Sequence, residues 1–210
     1  MLASASPRRQ ALVGVLGLPW RAAPADVDEN AYLLGNPLVS ALNVAAAKAR
    51  KVVCAAADEL VVAADTLVVA AGRVLGKPSD ADEARGMLAQ LRAKPHEVLT
   101  GVALRAPNDR QWGGVVATQV VIRDYTDQEV EAYVARGEPY DKAGAYAIQD
   151  VVFRPVERLE GCYLNVVGLP LCAVAAGLTA LGVMDKAPLT KPPCTYCAVG
   201  APLVSIRSVY

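Results

Sequence analysis

Residues 60–70 read Leu-Val-Val-Ala-Ala-Asp-Thr-Leu-Val-Val-Ala, an apolar run broken only by Asp65 and Thr66. The expectation is a short buried strand over residues 60–64 that delivers Asp65 and Thr66 at its end, with strand resuming over 67–70 before a turn at Ala71-Gly72. Strand ends are where α/β sheets present reactive groups to a crevice. A carboxylate there has to be paired, hydrated or metal-bound, because burying it alone is costly. The plain alternative is a side-chain cap on a turn.

Helices alternate with strands around this run. Ser6 is a favourable N-cap and Pro7 suits the first helical position, so a helix starts there and ends near Gly14 to Gly17. Residues 18–25 read as extended, an acidic turn follows at Asp26-Val27-Asp28-Glu29, and Pro37 opens a helix with Leu38, Leu42 and Ala45 or Ala46 on one face. Ser79-Asp80-Ala81-Asp82 is a capping box ahead of a helix that turns Ala84, Met87, Leu88 and Leu91 inward. Residues 98–104 and 115–122 form an antiparallel pair across Ala106-Pro107-Asn108-Asp109. Thr126 and Glu129 cap another helix, with Val130, Tyr133 and Val134 inward and Gly137 at its stop. A last strand pair brackets Gly161, and Pro170 introduces a helix to Leu181. The fold class is mixed α/β. One domain over residues 1–184 is followed by an appended tail, 185–210, where Pro188, Pro192, Pro193 and Pro202 predict loose order.

Composition excludes several classes of function. Lys plus Arg and Asp plus Glu both number 21, so no net field recruits nucleic acid or an anionic membrane. Aromatic residues are 5% of the chain and Phe153 is the sole Phe, which argues against a stacking platform. Five scattered cysteines make no disulfide framework, no targeting pattern opens the chain, and the apolar stretch 162–181 is interrupted by Asn165, Gly168 and Pro170. The expectation is a soluble cytoplasmic protein without a membrane span. Any anion binding must be local.

One local anion site is written into the first nine residues. Ser4, Ser6, Arg8 and Arg9 place hydroxyls and guanidinium forks around a helix N-terminus, a combination suited to phosphate oxygens. Lys77, in Gly76-Lys77-Pro78, is a point charge on a constrained turn that either neutralises a phosphate or is simply solvated. Lys48 reads equally as a snorkelling surface lysine or a phosphate contact. Glu29 could join Asp65 as the second carboxylate of a Mg²⁺ site completed by waters and substrate phosphates. Residues 137–149 are too polar for an inert strand and read as a binding loop. There Lys142 pairs with Asp141 or reaches phosphate, and Gln149 offers both a donor and an acceptor to a base edge. Cys194 and Cys197 are half of a zinc pattern at most, and His96, the single histidine, fits a structural hydrogen bond.

Five motifs in order, Ser-x-Ser-Pro-Arg-Arg at Ser4 to Arg9, Ala-Asp-Thr at Ala64 to Thr66, Gly-Lys-Pro at Gly76 to Pro78, Asp-Lys-Ala-Gly-Ala-Tyr at Asp141 to Tyr146 with Gln149, and Asn-Val-Val-Gly-Leu-Pro at Asn165 to Pro170, resemble the Maf family of nucleotide pyrophosphatases. The resemblance implies a Maf/inosine-triphosphatase-like mixed sheet in two lobes with a central substrate cleft, commonly as a homodimer. It implies hydrolysis of nucleoside triphosphates to monophosphate and pyrophosphate with a divalent cation, Mg²⁺ or Mn²⁺. By the same resemblance Asp65 matches the proton acceptor and Glu29 an acid associated with the metal, the cation being held by Glu29 and Asp65 together in the enzyme reading. Ser4, Arg8, Lys77 and Lys142 match residues around the phosphates. Arg9, Thr66 and Gln149 match the subfamily acting on dTTP and UTP, where the 7-methyl-GTP type carries Trp, Gln and Glu. Two other readings remain open: a nucleotide-binding regulator of cell division without turnover, and a scaffold that binds partners through the tail.

Overall fold

The computed structural model describes residues 1–54, 56, 58–107 and 110–184. The tail over 185–210, with its expected loose order and its Cys194 and Cys197, lies outside the described residues. Among the described residues five strands form one sheet in the order β2-β1-β3-β4-β5, with every neighbouring pair antiparallel. Their ranges are β1 Val61–Ala70, β2 Arg73–Leu75, β3 Pro95–Arg105, β4 Gln111–Ile122 and β5 Val156–Glu160. Six α-helices accompany them among the described residues: α1 Pro7–Gly14, α2 Pro37–Lys51, α3 Ala81–Leu91, α4 Asp127–Ala135, α5 Tyr163–Val167 and α6 Leu171–Ala180. None is long and apolar enough to cross a membrane.

The apolar run at residues 60–70 is one continuous strand, paired with β3 from Val61 opposite Arg105 to Val69 opposite Glu97. Asp65 and Thr66 therefore sit in the middle of β1 and not at a strand end, which corrects the sequence expectation. Both line a cleft beside the other edge of β1. Leu2 bridges to Val62 there in the parallel sense, and β2 pairs only from Val68 to Ala70. Among the described residues no strand covers 63–67 on that side, so the sheet edge has a gap at the two polar residues. The Leu2 bridges, to Ala22 and Val62, are isolated parallel contacts beside this antiparallel sheet.

Successive strand residues face opposite sides. On one face, Val62, Ala64, Val102, Leu104 and Val116 pack with Leu171, Val174 and Leu178 of α6 at one end of the strands. At the other end, Val68, Ala70, Val98 and Val120 pack with Leu88 and Leu91 of α3, Val130 and Tyr133 of α4, and Phe153. These two clusters are the expected lobes. Between them, on the same face, Thr66, Thr100 and Thr118 form a polar waist. The opposite face is covered by α2, whose Leu42, Ala45 and Ala49 meet Val61, Ala63, Leu99, Ala103 and Val115. Gly101 lets α2 approach: a Cβ there would stand 2.3 Å from the carbonyl oxygen of Ala41.

The helix caps follow the sequence closely. Ser6 and Asn36 cap α1 and α2, and Thr126 with Glu129 completes a reciprocal box on α4. The cap of α3 is shifted by one residue from its expected place. Asp80 accepts the Glu83 N–H at 2.8 Å while the Glu83 carboxylate takes the Ser79 N–H and hydroxyl, both at 2.7 Å. The strand pair expected around Gly161 is also corrected, because only β5 precedes it and the chain then turns into α5. Thr118 Oγ1 accepts the Cys162 N–H at 3.0 Å and donates to the Cys162 carbonyl at 3.3 Å, satisfying the backbone groups that a second strand would have paired.

Candidate active site

Beside the gap in the β1 edge lies an open, largely polar cleft. Arg8, Arg9, Glu29, Lys48, Asp65, Thr66, Lys77, Lys142 and Gln149 all line it. Ser4 is the one expected site residue that does not. Its buried hydroxyl instead accepts the Ser6 N–H at 3.2 Å and shapes the entry to α1, whose cap residue Ser6 does face the cleft.

Asp65 points to the α2 side of the sheet. Lys48, near the end of α2, brings its Nζ within 2.8 Å of Asp65 Oδ1 and 2.6 Å of Glu29 Oε1. Lys48 and Asp65 are 7% and 5% exposed, so Asp65 meets its lysine in a dry setting while Glu29 reaches the same nitrogen from a more exposed position. Glu29 opens the 3₁₀ turn Glu29–Tyr32, which Asp28 caps. Burial would raise the Glu29 carboxyl, but the Lys48 hydrogen bond and charge, helped by Lys77 and Arg9, hold it below the ordinary carboxylate range. The two expected carboxylates thus meet through a lysine that is neither snorkelling nor aimed at solvent. The sequence carried a signal for this: Lys48 is three residues after Ala45 on the apolar face of α2, where a lysine has to find acids.

Thr66 points the other way, into the polar waist. Arg9 reaches it from α1, its Nη2 donating to Thr66 Oγ1 at 3.1 Å and its Nε to the Gly168 carbonyl at 2.8 Å. Burial pushes the Arg9 guanidinium down, while Asp65 and Glu29 oppose that shift. Gly168 sits against this pair with φ +120, a conformation that favours glycine.

The rim is cationic. Arg8 Nη1 lies 3.0 Å from Asp141 Oδ2, and Lys142 Nζ lies 2.6 Å from Asp141 Oδ1 and 3.2 Å from Glu138 Oε2. Burial would raise the Asp141 carboxyl, but the hydrogen bond from Lys142 and the charge of Arg8 hold it below its usual value. Lys77 makes no ion pair among the described residues. Gly144 N–H donates to the Gly76 carbonyl at 2.9 Å, fastening the loop that carries Lys142 and Gln149 to the turn that carries Lys77. Behind that loop His96 Nε2 lies 2.7 Å from the hydroxyl of Tyr146, whose residue lines the cleft, and burial pushes the His96 imidazole down to about 4. The structural role expected for His96 is this bond, and Tyr146 is the member of the expected binding loop that makes it.

The donor set fits a divalent cation. Glu29 and Asp65 already converge on one cationic atom, each through a single oxygen, and two carboxylates supplemented by phosphate oxygens and water are hard ligands of the kind Mg²⁺ takes.

Fold and site together define a class: an α/β protein with a polar cleft at a sheet-edge gap, carboxylates on its floor and cations on its rim. The sequence matches a family model described as Maf-like protein over residues 1–181. The chain belongs to the Maf family. It is similar to a dTTP/UTP pyrophosphatase of Thermomicrobium roseum, 45% identical over 212 residues that cover 99% of this chain and 97% of that protein. It is similar also to proteins of the same description from Moorella thermoacetica, 48% identical over 87% of this chain and 95% of the relative, and Anaeromyxobacter dehalogenans, 48% identical over 87% and 93%.

Proposed function

We propose that this chain hydrolyses dTTP and UTP to the nucleoside monophosphate and pyrophosphate, a role in clearing nucleotide pools. The Asp65–Lys48–Glu29 bridge beneath a cationic rim carries the reading, and relatives described as dTTP/UTP pyrophosphatases support it. Asp65 orients a water towards the α-phosphorus and takes its proton as the new P–O bond forms. The bond between the α-phosphorus and the bridging oxygen breaks, and pyrophosphate leaves with its charge spread over Arg8, Lys77 and Lys142. Lys48 holds Asp65 oriented for that work through the 2.8 Å bond to its Oδ1. Glu29 and Asp65 would hold Mg²⁺ or Mn²⁺, which when bound supplies Lewis-acid polarisation of the phosphates. Arg9, Thr66 and Gln149 recognise the base. Family resemblance further supports a cytoplasmic homodimer, which light scattering in solution tests.

The deciding experiment is a panel of nucleoside triphosphates with Mg²⁺ and with Mn²⁺, quantifying monophosphate, pyrophosphate and orthophosphate. Pyrophosphate from dTTP and UTP is expected, and orthophosphate in its place overturns the bond assignment. Asp65→Asn keeps the shape but cannot accept the proton, so turnover should fall at least ~10²-fold in a folded protein. Glu29→Gln should lower rate and metal affinity together, and an unchanged metal titration removes Glu29 from the cation site.

A further inference from the structure

Thr66 and Thr100 stand directly opposite each other on β1 and β3, and their hydroxyl oxygens are 2.9 Å apart. Groups of fixed hydrogen-bonding sense bracket the pair. At one end Arg9 Nη2, which can only donate, lies 3.1 Å from Thr66 Oγ1. At the other, the main-chain carbonyl of Asn165, which can only accept, lies 3.1 Å from Thr100 Oγ1. That carbonyl is held in place. Asn165 is fully buried, its side-chain amide donates to the Val98 carbonyl at 2.9 Å and to Thr118 Oγ1 at 2.8 Å, and the Leu169 N–H bonds to Leu164.

Each hydroxyl has one proton to give. Thr100 gives its proton to Asn165, so in the contact between the two threonines Thr66 is the donor. Thr66 has then spent its only proton inward and accepted one bond from Arg9. A single lone pair is left for the cleft that Thr66 lines.

We propose that Thr100 is a specificity-determining positioning residue, which by taking the Thr66 proton makes Thr66 an acceptor-only contact for the nucleobase. The inference rests on the pyrimidine nucleotide reading above and deepens it. Uracil and thymine carry an N–H at ring position 3, which satisfies that lone pair. Cytosine carries a lone pair at the same position, so two acceptors face each other and both stay unpaired. Discrimination against cytosine is thus set on a residue that never touches the base.

The test compares UTP with CTP. Thr100→Val keeps the branched outline but leaves the Thr66 proton without its acceptor, free to turn into the cleft and meet the cytosine lone pair. The ratio of kcat/KM for UTP over CTP should fall about tenfold, the scale of one neutral hydrogen bond. Thr100→Ser, which retains the hydroxyl, should keep the parent ratio. The same preference is read without turnover from the Kd values of UMP and CMP by titration calorimetry. Thr100→Ala provides the reading if the valine variant does not fold. An unchanged UTP/CTP and UMP/CMP preference in the folded variant overturns the role of Thr100. A parent that fails to cleave UTP, with a Kd ratio that still shifts in the variant, overturns the reaction and leaves the role of Thr100 standing.

Discussion

A lysine between two acids sets the character of the cleft floor. Because Lys48 and Asp65 are both buried, removing Lys48 strands Asp65, whereas removing Asp65 leaves Lys48 its bond to Glu29 and removing both leaves only the more exposed Glu29 without a partner. Lys48→Met should destabilise the protein by about 3–5 kcal/mol, and Lys48→Met combined with Asp65→Asn by clearly less than the two single changes added, as measured by urea unfolding. Additive losses would mean that the two groups do not meet. His96 gives a second test. Its folded value of about 4 lies below the ordinary 6.5 because burial disfavours the imidazolium, so between those two pH values the unfolded chain holds more protons. Its contribution is full above pH 6.5, declines as the pH falls, and is gone below about 4, amounting to roughly 3 kcal/mol at most. His96→Gln can keep a bond to Tyr146 without titrating there. Unfolding free energies at pH 7 and pH 5 should differ less in that variant than in the parent, and equal differences refute the assignment.

At the scale of elements, α2 is the part whose placement decides whether the floor exists. It lies on β3 where Gly101 has no side chain, and a methyl there would overlap the Ala41 carbonyl. Gly101→Ala should force α2 outward, cost about 1–3 kcal/mol and reduce turnover by dragging Lys48 from Asp65. Retention of both stability and rate would show that the helix is placed by other contacts. This also marks what was legible in the chain. Ser6-Pro7, Thr126 with Glu129, and the inward faces of α3 and α4 could be read directly, because caps and helical periodicity are local. That Lys48 meets Asp65 could not, since the contact depends on how α2 registers against β1, 17 residues away in sequence. The position of Asp65 was misread for a related reason. An apolar run shows that a strand is buried but not where its neighbour stops pairing, and the edge of β1 at residues 63–67, where no described strand pairs, lies beside the cleft that Asp65 lines.

At the scale of the whole molecule, β1, β3 and β4 each pass through both apolar clusters. Neither lobe keeps a core of its own once those strands separate. Calorimetry should show one unfolding transition, raised by UMP with the logarithm of its concentration once that exceeds its Kd, and two resolved transitions would contradict the shared-strand architecture. The same continuity limits how the molecule can move. A cleft between two bodies joined by a linker opens as a jaw does, with a few residues absorbing the rotation. Here the bodies are two ends of the same ribbons, so there is no joint at which to swing, and substrate and product pass through the open side of a cleft whose walls stay in place.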